Sequence, residues 1–186
     1  MNSPVSVDQL DVRPQRREPR FTLNGTLWAL QILWGFFFAG SGFGKVLLYD
    51  TVRYAQAPQS VAWFAAVPQP LIVFIGVVEV LGGVGLILPA MTRVKPMLTA
   101  LAGAGLALTM VLATGFHLVR GEYVLVPTTV VLGAVAAFVA VGRSNHRPIA
   151  PEPLTARRVL TSLAVLVVMV LTVIVPTWYT MTPAQP

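Results

Sequence analysis

The chain contains no cysteine among its 186 residues. This absence excludes disulfide relay, thiolate zinc sites, cysteine-ligated iron–sulfur clusters and cysteine nucleophiles. No cofactor site is evident in the sequence. Any redox role therefore needs a quinone, another bound cofactor or a partner protein to carry the electrons.

Histidine is almost as scarce, with only His117 and His146 present. His117 falls in an apolar segment, whereas His146 falls in a loop predicted to lie on the opposite side of a membrane. One chain therefore cannot supply both axial ligands of a bis-histidine haem. No pair of metal-ligand side chains stands three or four residues apart on one predicted helix, so we predict no metal site.

Charged residues are also few: 11% of the chain is charged and 55% is hydrophobic, whereas a soluble domain is about 25% charged. The mean hydropathy is +0.74. With apolar stretches longer than the roughly 18 residues that mark a spanning helix, this composition indicates an all-α, polytopic membrane helical bundle. The net charge of +6 does not indicate a nucleic-acid binder, because the basic residues stand in short loops beside apolar segments.

Five apolar segments are predicted to cross the bilayer. They are about Leu27–Leu47, Leu71–Leu88, Met97–Val119, Tyr123–Val141 and Val159–Trp178. The second is predicted to end at Pro89, because proline breaks helices. In the loop between the first two segments, Tyr54, Trp63 and Phe64 predict a short stretch at the membrane interface, where aromatic rings are favoured.

These segments divide the chain into a core and flanking parts. The predicted parts are a polar, disordered cytoplasmic tail (1–25), a four-helix core (26–143), a cytoplasmic basic loop (144–158), a fifth transmembrane helix (159–179) and a short external tail (180–186). The fifth helix is predicted to be peripheral and lipid-facing, with Trp178 and Tyr179 as interfacial anchors. We interpret His146, with Arg143 and Arg147, as part of a basic loop near anionic lipid.

Glycine, in contrast, is abundant, with 15 residues, and most of them fall in the first three segments. Small residues let helices approach closely in lipid, where no hydrophobic force drives them together. Gly40 and Gly44 have the four-residue spacing of such a contact. We therefore expect the first segment to pack closely on a neighbour there.

The distribution of lysine and arginine predicts the orientation. With the N-terminus in the cytoplasm, the inner segments hold ten of these residues and the outer segments hold three. The outer three are Lys45, Arg53 and Arg120. The sequence thus predicts a cytoplasmic N-terminus and an external C-terminus.

Three polar residues in the apolar segments form the candidate site. Glu79 lies eight residues after Leu71, about 12 Å into its span at about 1.5 Å per residue, and a carboxylate at that depth is costly unless it is paired. Lys45 and His117 fall near the outer ends of their spans, and the lysine stem is long enough to reach Glu79. We expect a polar site open to the outer face that binds a quinone headgroup or relays protons.

Each of these residues also has a structural interpretation. Lys45 and Glu79 can form a buried pair that only fixes the register of two helices. His117 can lie at the interface and bond a carbonyl. Both interpretations stay open at this point.

Two motifs resemble those of the DoxX-like family of small bacterial integral membrane proteins. The first is Gly42-Phe43-Gly44-Lys45, and the second is the stretch 76–89, GVVEVLGGVGLILP, which contains Glu79. Pro68 and the Ala/Gly-rich third span ending in Phe116-His117 fit as well. The resemblance covers roughly Thr26 to Arg143. It implies a four-helix bundle with both ends of the core in the cytoplasm, and a link to thiosulfate:quinone oxidoreduction or to oxidative-stress assemblies in the membrane.

The leading functional hypothesis is a subunit of a redox- or quinone-linked assembly in the bacterial plasma membrane, without autonomous catalysis. In it, Glu79 is the central polar group, Lys45 its charge partner and His117 a proton or quinone contact. The expected partners are the lipid bilayer and a redox protein. The alternatives are a small-solute or proton transporter that uses the same carboxylate, and a non-catalytic membrane adaptor.

Overall fold

The computed structural model describes residues 22–47 and 62–181, with the side chains of the last helix described as far as Thr172. Outside what is described lie the predicted disordered tail up to residue 21, Tyr54, the side chains of the anchors Trp178 and Tyr179, and the external tail from 182 onward. Residues 22–47 and 62–181 contain five long helices: α1 (Leu23–Leu47), α2 (Gln69–Thr92), α3 (Met97–Val119), α4 (Val126–Val141) and α5 (Ala156–Met181). A 3-10 turn (Ala62–Ala66) precedes α2, and a π-helical turn (Gly142–His146) follows α4. The described ranges contain no strand.

The first four helices form an antiparallel bundle in which each helix packs on the next along the chain. Gly35 of α1 faces Gly83 of α2, Gly82 of α2 faces Leu106 of α3, and α4 packs antiparallel on α3. The ring closes between α4 and α1, where Trp34 Nε1 donates to the carbonyl oxygen of Leu132 over 3.3 Å. One end of this bundle, the cavity end, carries Lys45 and the α3–α4 turn, and the other, the arginine end, carries Arg93 and Arg143.

Glycine sets the distance between α1 and α2. A Cβ added at Gly83 would lie 2.5 Å from the carbonyl oxygen of Gly35, and Gly42 is in similar contact with Gly76. The expected contact through Gly44 is wrong, because a Cβ at that position would meet nothing within 4 Å. Gly35 and Gly42 are two turns apart and share a face, whereas Gly44 is two residues further on and faces away.

The expected end of the second helix at Pro89 is also wrong, because α2 continues through Pro89 to Thr92. Proline removes one backbone donor and clashes with the preceding turn, so it normally weakens the helix there. In this protein the amide of Gln31 donates to the carbonyl oxygen of Leu86 over 2.7 Å, in a buried position. The carbonyl that Pro89 leaves without its helical donor is that of Gly85, so the bond from Gln31 joins α1 to α2 beside the proline and does not replace the missing bond.

In the part of the chain that the structure describes, four helices are long and apolar enough to span a membrane: Leu23–Leu47, Gln69–Thr92, Met97–Val119 and Val126–His146. Their outward side chains are apolar, and Leu101, Leu108 and Leu112 of α3 are each more than half exposed. Such a surface is suited to lipid and not to water, so the chain is an integral membrane protein. Helix α5 is not among these four spans, and its crossing of the bilayer stays a prediction.

Candidate functional site

The deepest polar group of the site is an ion pair between α1 and α2. Lys45 Nζ lies 2.6 Å from Glu79 Oε2, and the two side chains are only 9% and 5% exposed. Lys45 Nζ also donates to Ser41 Oγ, one turn earlier on α1, over 2.7 Å. Removing one partner of such a pair leaves an uncompensated buried charge, which costs about 3–5 kcal/mol.

The local sequence explains why the pair forms. Gly76 stands one turn before Glu79, and a Cβ added there would lie 2.8 Å from Cβ of Lys45. The glycine therefore leaves room for the base of the lysine stem between the two backbones. The motif glycines and the charged residues thus act together: the former bring the helices close, and the latter join them.

A cavity of about 460 Å³ opens beside this ion pair, within the range of sites for small molecules. Its wall is mostly apolar and aromatic, with a few polar groups. The lining residues are Phe37, Phe38, Ser41, Lys45, Trp63, Val67, Leu71, Phe74, Ile75, Val78, Glu79, Thr109, Met110, Leu112, Ala113, Phe116, His117, Leu125, Thr128, Thr129 and Leu132. The structure thus brings Lys45, Glu79 and His117 to one cavity, and their role in function stays a prediction.

His117 is bound by a carboxylate and not, as one interpretation held, by a carbonyl. Its Nδ1 lies 2.7 Å from Glu122 Oε2, and Arg120 Nε donates to Glu122 Oε1 over 2.7 Å. Burial alone would raise the pKa of Glu122, but the hydrogen bonds to His117 and Arg120 outweigh it and lower that pKa below its usual range. Glu122 is therefore ionised at neutral pH.

The turn that carries Glu122 was visible in the sequence, but its contact with His117 was not. Gly121 adopts a φ of +73°, a conformation that glycine reaches without strain, and the chain turns back after α3. This turn returns Glu122 to His117, five residues earlier. The sequence signal for this contact was an acidic residue, Glu122, that follows His117 by five residues with Gly121 between them.

Aromatic rings cover His117. The Trp63 ring in the 3-10 turn stands edge-on to the His117 ring at a centroid distance of 5.7 Å, and Phe116 does so at 5.5 Å. Phe64, beside Trp63, is only 6% exposed and packs with Val67. The short aromatic stretch expected at the interface thus packs on the bundle and forms part of the cavity wall.

A second buried polar cluster lies at the arginine end, where sequence reasoning had placed Arg143 near lipid. That interpretation is wrong: Arg143 is 4% exposed, and its Nε donates to Gln31 Oε1 over 2.5 Å and its Nη1 to Asn24 Oδ1 over 2.7 Å. Its guanidinium also lies over the Trp28 ring. The π-helical turn extends α4 past Val141, so Arg143 faces α1, and a cation at the carboxyl end of a helix is favoured by the helix dipole.

No three His, Asp or Glu side chains of the described residues form a group that could hold a metal ion. Lys45, Glu79 and His117, three of the polar side chains that line the cavity, can form hydrogen bonds. The apolar wall suits a ligand with a flat or aliphatic body and one polar end.

Comparison with known proteins gives one match. A family model described as the DoxX-like family matches residues 29–139, which is more than half of the 186 residues. This stretch includes Lys45, Glu79 and His117. No curated protein matches the chain, and no solved structure does.

Proposed function

The chain belongs to the DoxX-like family, and we propose that it is a quinone-binding subunit of a redox-linked assembly in the bacterial plasma membrane. The membership predicted from the Glu79 motif is confirmed, and the resemblance implies a link to quinone oxidoreduction. The chain has no cysteine, so electrons pass through the quinone and a partner protein. We propose no autonomous catalytic activity.

The observation that carries this proposal is the chemistry of the cavity wall. A quinone combines a flat apolar ring and an apolar tail with polar oxygens on the ring. The cavity offers aromatic faces such as Phe38 and Phe74 for the ring, and the polar groups Lys45, Glu79 and His117 as hydrogen-bond partners for the oxidised or reduced ring oxygens. Two of its lining residues, Phe74 and Leu112, are also exposed on the outer surface of the bundle, so a lipid-soluble ligand can enter from the bilayer.

The cavity proposal is tested by filling the cavity without touching its polar groups. Ala113 lines the cavity, and Ala104, on the same helix, is exposed on the outer surface. We expect the fluorescence of wild-type protein in nanodiscs to be quenched saturably when a short-chain quinone is titrated in. Ala113→Trp should lose this binding, and Ala104→Trp should retain it. Equal binding by both variants would place the quinone elsewhere and overturn the proposal.

A transporter is the second candidate, because a buried Lys45–Glu79 pair is also the type of group that relays protons or binds solutes. The packing disfavours it. Beyond the cavity, toward the arginine end, the bundle axis is filled by fully buried side chains that include Leu27, Leu86 and Val139, so no described path crosses the bundle. Proton flux in liposomes that Glu79→Gln abolishes would favour transport over quinone binding.

We also propose an orientation for the chain in the membrane. The arginine end holds Arg93, Lys95, Arg143, Arg147, Arg157 and Arg158. Cytoplasmic loops carry an excess of such residues, so we propose that the arginine end faces the cytoplasm and that the cavity end faces outward. Helix α5 has 26 residues, or about 39 Å at about 1.5 Å per residue, and we propose that it crosses the membrane and leaves the C-terminus outside.

A further inference from the structure

The hydrogen bond between His117 and Glu122 fixes which nitrogen of the imidazole carries a proton. An ionised carboxylate can only accept, so Nδ1, 2.7 Å from Glu122 Oε2, must be the N–H donor. The charge of Glu122 is already balanced by Arg120, which donates to its other oxygen. The pair therefore does not require a positively charged imidazole, and a neutral ring protonated on Nδ1 has a lone pair on Nε2.

This lone pair is available to the cavity. No described residue hydrogen-bonds Nε2 of His117. This atom is also not one of the fully buried polar atoms without a partner, so it is accessible. His117 lines the cavity, while its ring edges are covered by Trp63 and Phe116. An acceptor in such apolar surroundings is costly when it is left without a donor.

The other polar end of the cavity, at Lys45 and Glu79, also presents a hydrogen-bond acceptor. Lys45 Nζ already donates to Ser41 and to Glu79 Oε2, and no described residue bonds the other carboxylate oxygen of Glu79. Among the described residues, therefore, neither His117 Nε2 nor Glu79 Oε1 has a donor. Lys45 keeps a third N–H, which can donate to a ring oxygen of either redox form. At the two acceptors, a ligand that carries O–H groups can donate, whereas a ligand that carries only carbonyl oxygens places lone pair against lone pair.

We propose that Glu122 is a positioning residue that holds His117 as a hydrogen-bond acceptor, so that the cavity selects a ring with hydroxyl groups, the hydroquinone form, over the oxidised ring. This inference rests on the proposed quinone site. It assigns to Glu122 a role in choosing between two redox forms of one ligand. It involves no transfer of electrons by the chain itself.

The first test measures the affinities of tetramethylhydroquinone and tetramethylbenzoquinone, which have nearly the same shape, under anaerobic conditions. We expect the wild-type protein to bind the reduced ring about tenfold more tightly, the size expected when one hydrogen bond to a buried acceptor is gained or lost. Glu122→Gln places an amide donor against Nδ1, moves the imidazole proton to Nε2 and should reverse this preference. Glu152→Gln makes the same chemical change at the arginine end, where Glu152 pairs with Arg93 and Arg158, and should leave the ratio unchanged.

The second test observes the imidazole directly. In a His146→Gln background His117 is the only histidine, and its ¹⁵N shifts report the protonation of each ring nitrogen. We expect a protonated Nδ1 and a bare Nε2 in wild type, and the opposite in Glu122→Gln. A protonated Nε2 in wild type, as the other tautomer or as imidazolium, would overturn the inference.

The two proposals fail in different ways. If neither ring binds the wild-type protein, the quinone site itself is wrong, and this inference is wrong with it. If both rings bind equally, or if Glu122→Gln keeps the wild-type ratio, Glu122 does not set the preference although the quinone site stands.

Discussion

At the scale of single residues, Lys45 and Glu79 depend on each other. Both are almost fully buried and lie 2.6 Å apart, so each neutralises a charge that the apolar surroundings would otherwise penalise. This part of the site was predictable, because a carboxylate deep in a span needs a partner and Lys45 was the cation within reach. Glu122 was not predictable, because its role depends on the path of a turn and not on hydropathy.

The dependence of the pair predicts a non-additive effect on stability. Lys45→Met alone leaves Glu79 without its partner and should lower the free energy of unfolding by about 3–5 kcal/mol. The double variant Lys45→Met/Glu79→Leu removes both charges and should recover most of that loss. Thermal unfolding in detergent measures the stability of the wild type, the two single variants and the double variant. If the double variant lost the sum of the two single losses, the coupling would be contradicted.

At the scale of helices, the sequence located the four core spans to within a few residues, because hydropathy decides where a chain can cross lipid. The sequence missed the continuation of α2 past Pro89 and the burial of Arg143, and Gln31 of α1 lies beside both. Gln31 donates to Leu86 in the turn before Pro89 and accepts from Arg143. The buried amide of Gln31 explains why Arg143 faces α1, and such a long-range partner leaves no local pattern in the sequence.

This bridge makes Gln31 a structural residue of the arginine end. Gln31→Leu should remove the side-chain donor to the Leu86 carbonyl and the acceptor of Arg143 Nε, at a cost of about 1–3 kcal/mol for each lost bond. Gln69→Leu, at the exposed start of α2, is the matched control and should change stability little. Equal unfolding temperatures for the two variants would show that the buried hydrogen bonds contribute nothing.

At the scale of the whole molecule, the four core helices and the basic residues define two different ends. The arginine end gathers most of the described positive charge, and the cavity end holds the ion pair and the His117–Glu122 pair. Because the sequence has no cysteine, single cysteines report the orientation of each end without background labelling.

The orientation is tested with a membrane-impermeant maleimide on intact cells. Ser144→Cys, on the exposed surface of the arginine end, should react only after the membrane is opened. Pro186→Cys, at the end of the chain, should react in intact cells if α5 crosses the bilayer. Protection of Pro186→Cys in intact cells, with Ser144→Cys also protected, would show that α5 does not cross.

The central claim is that the cavity beside Lys45 and Glu79 holds a quinone, and native mass spectrometry of the protein released gently from its own membrane tests it most directly. We predict that the wild-type chain carries one bound quinone and that Ala113→Trp, which fills the cavity, carries none. Wild-type protein released with only phospholipid, or Ala113→Trp that keeps its quinone, would contradict the account.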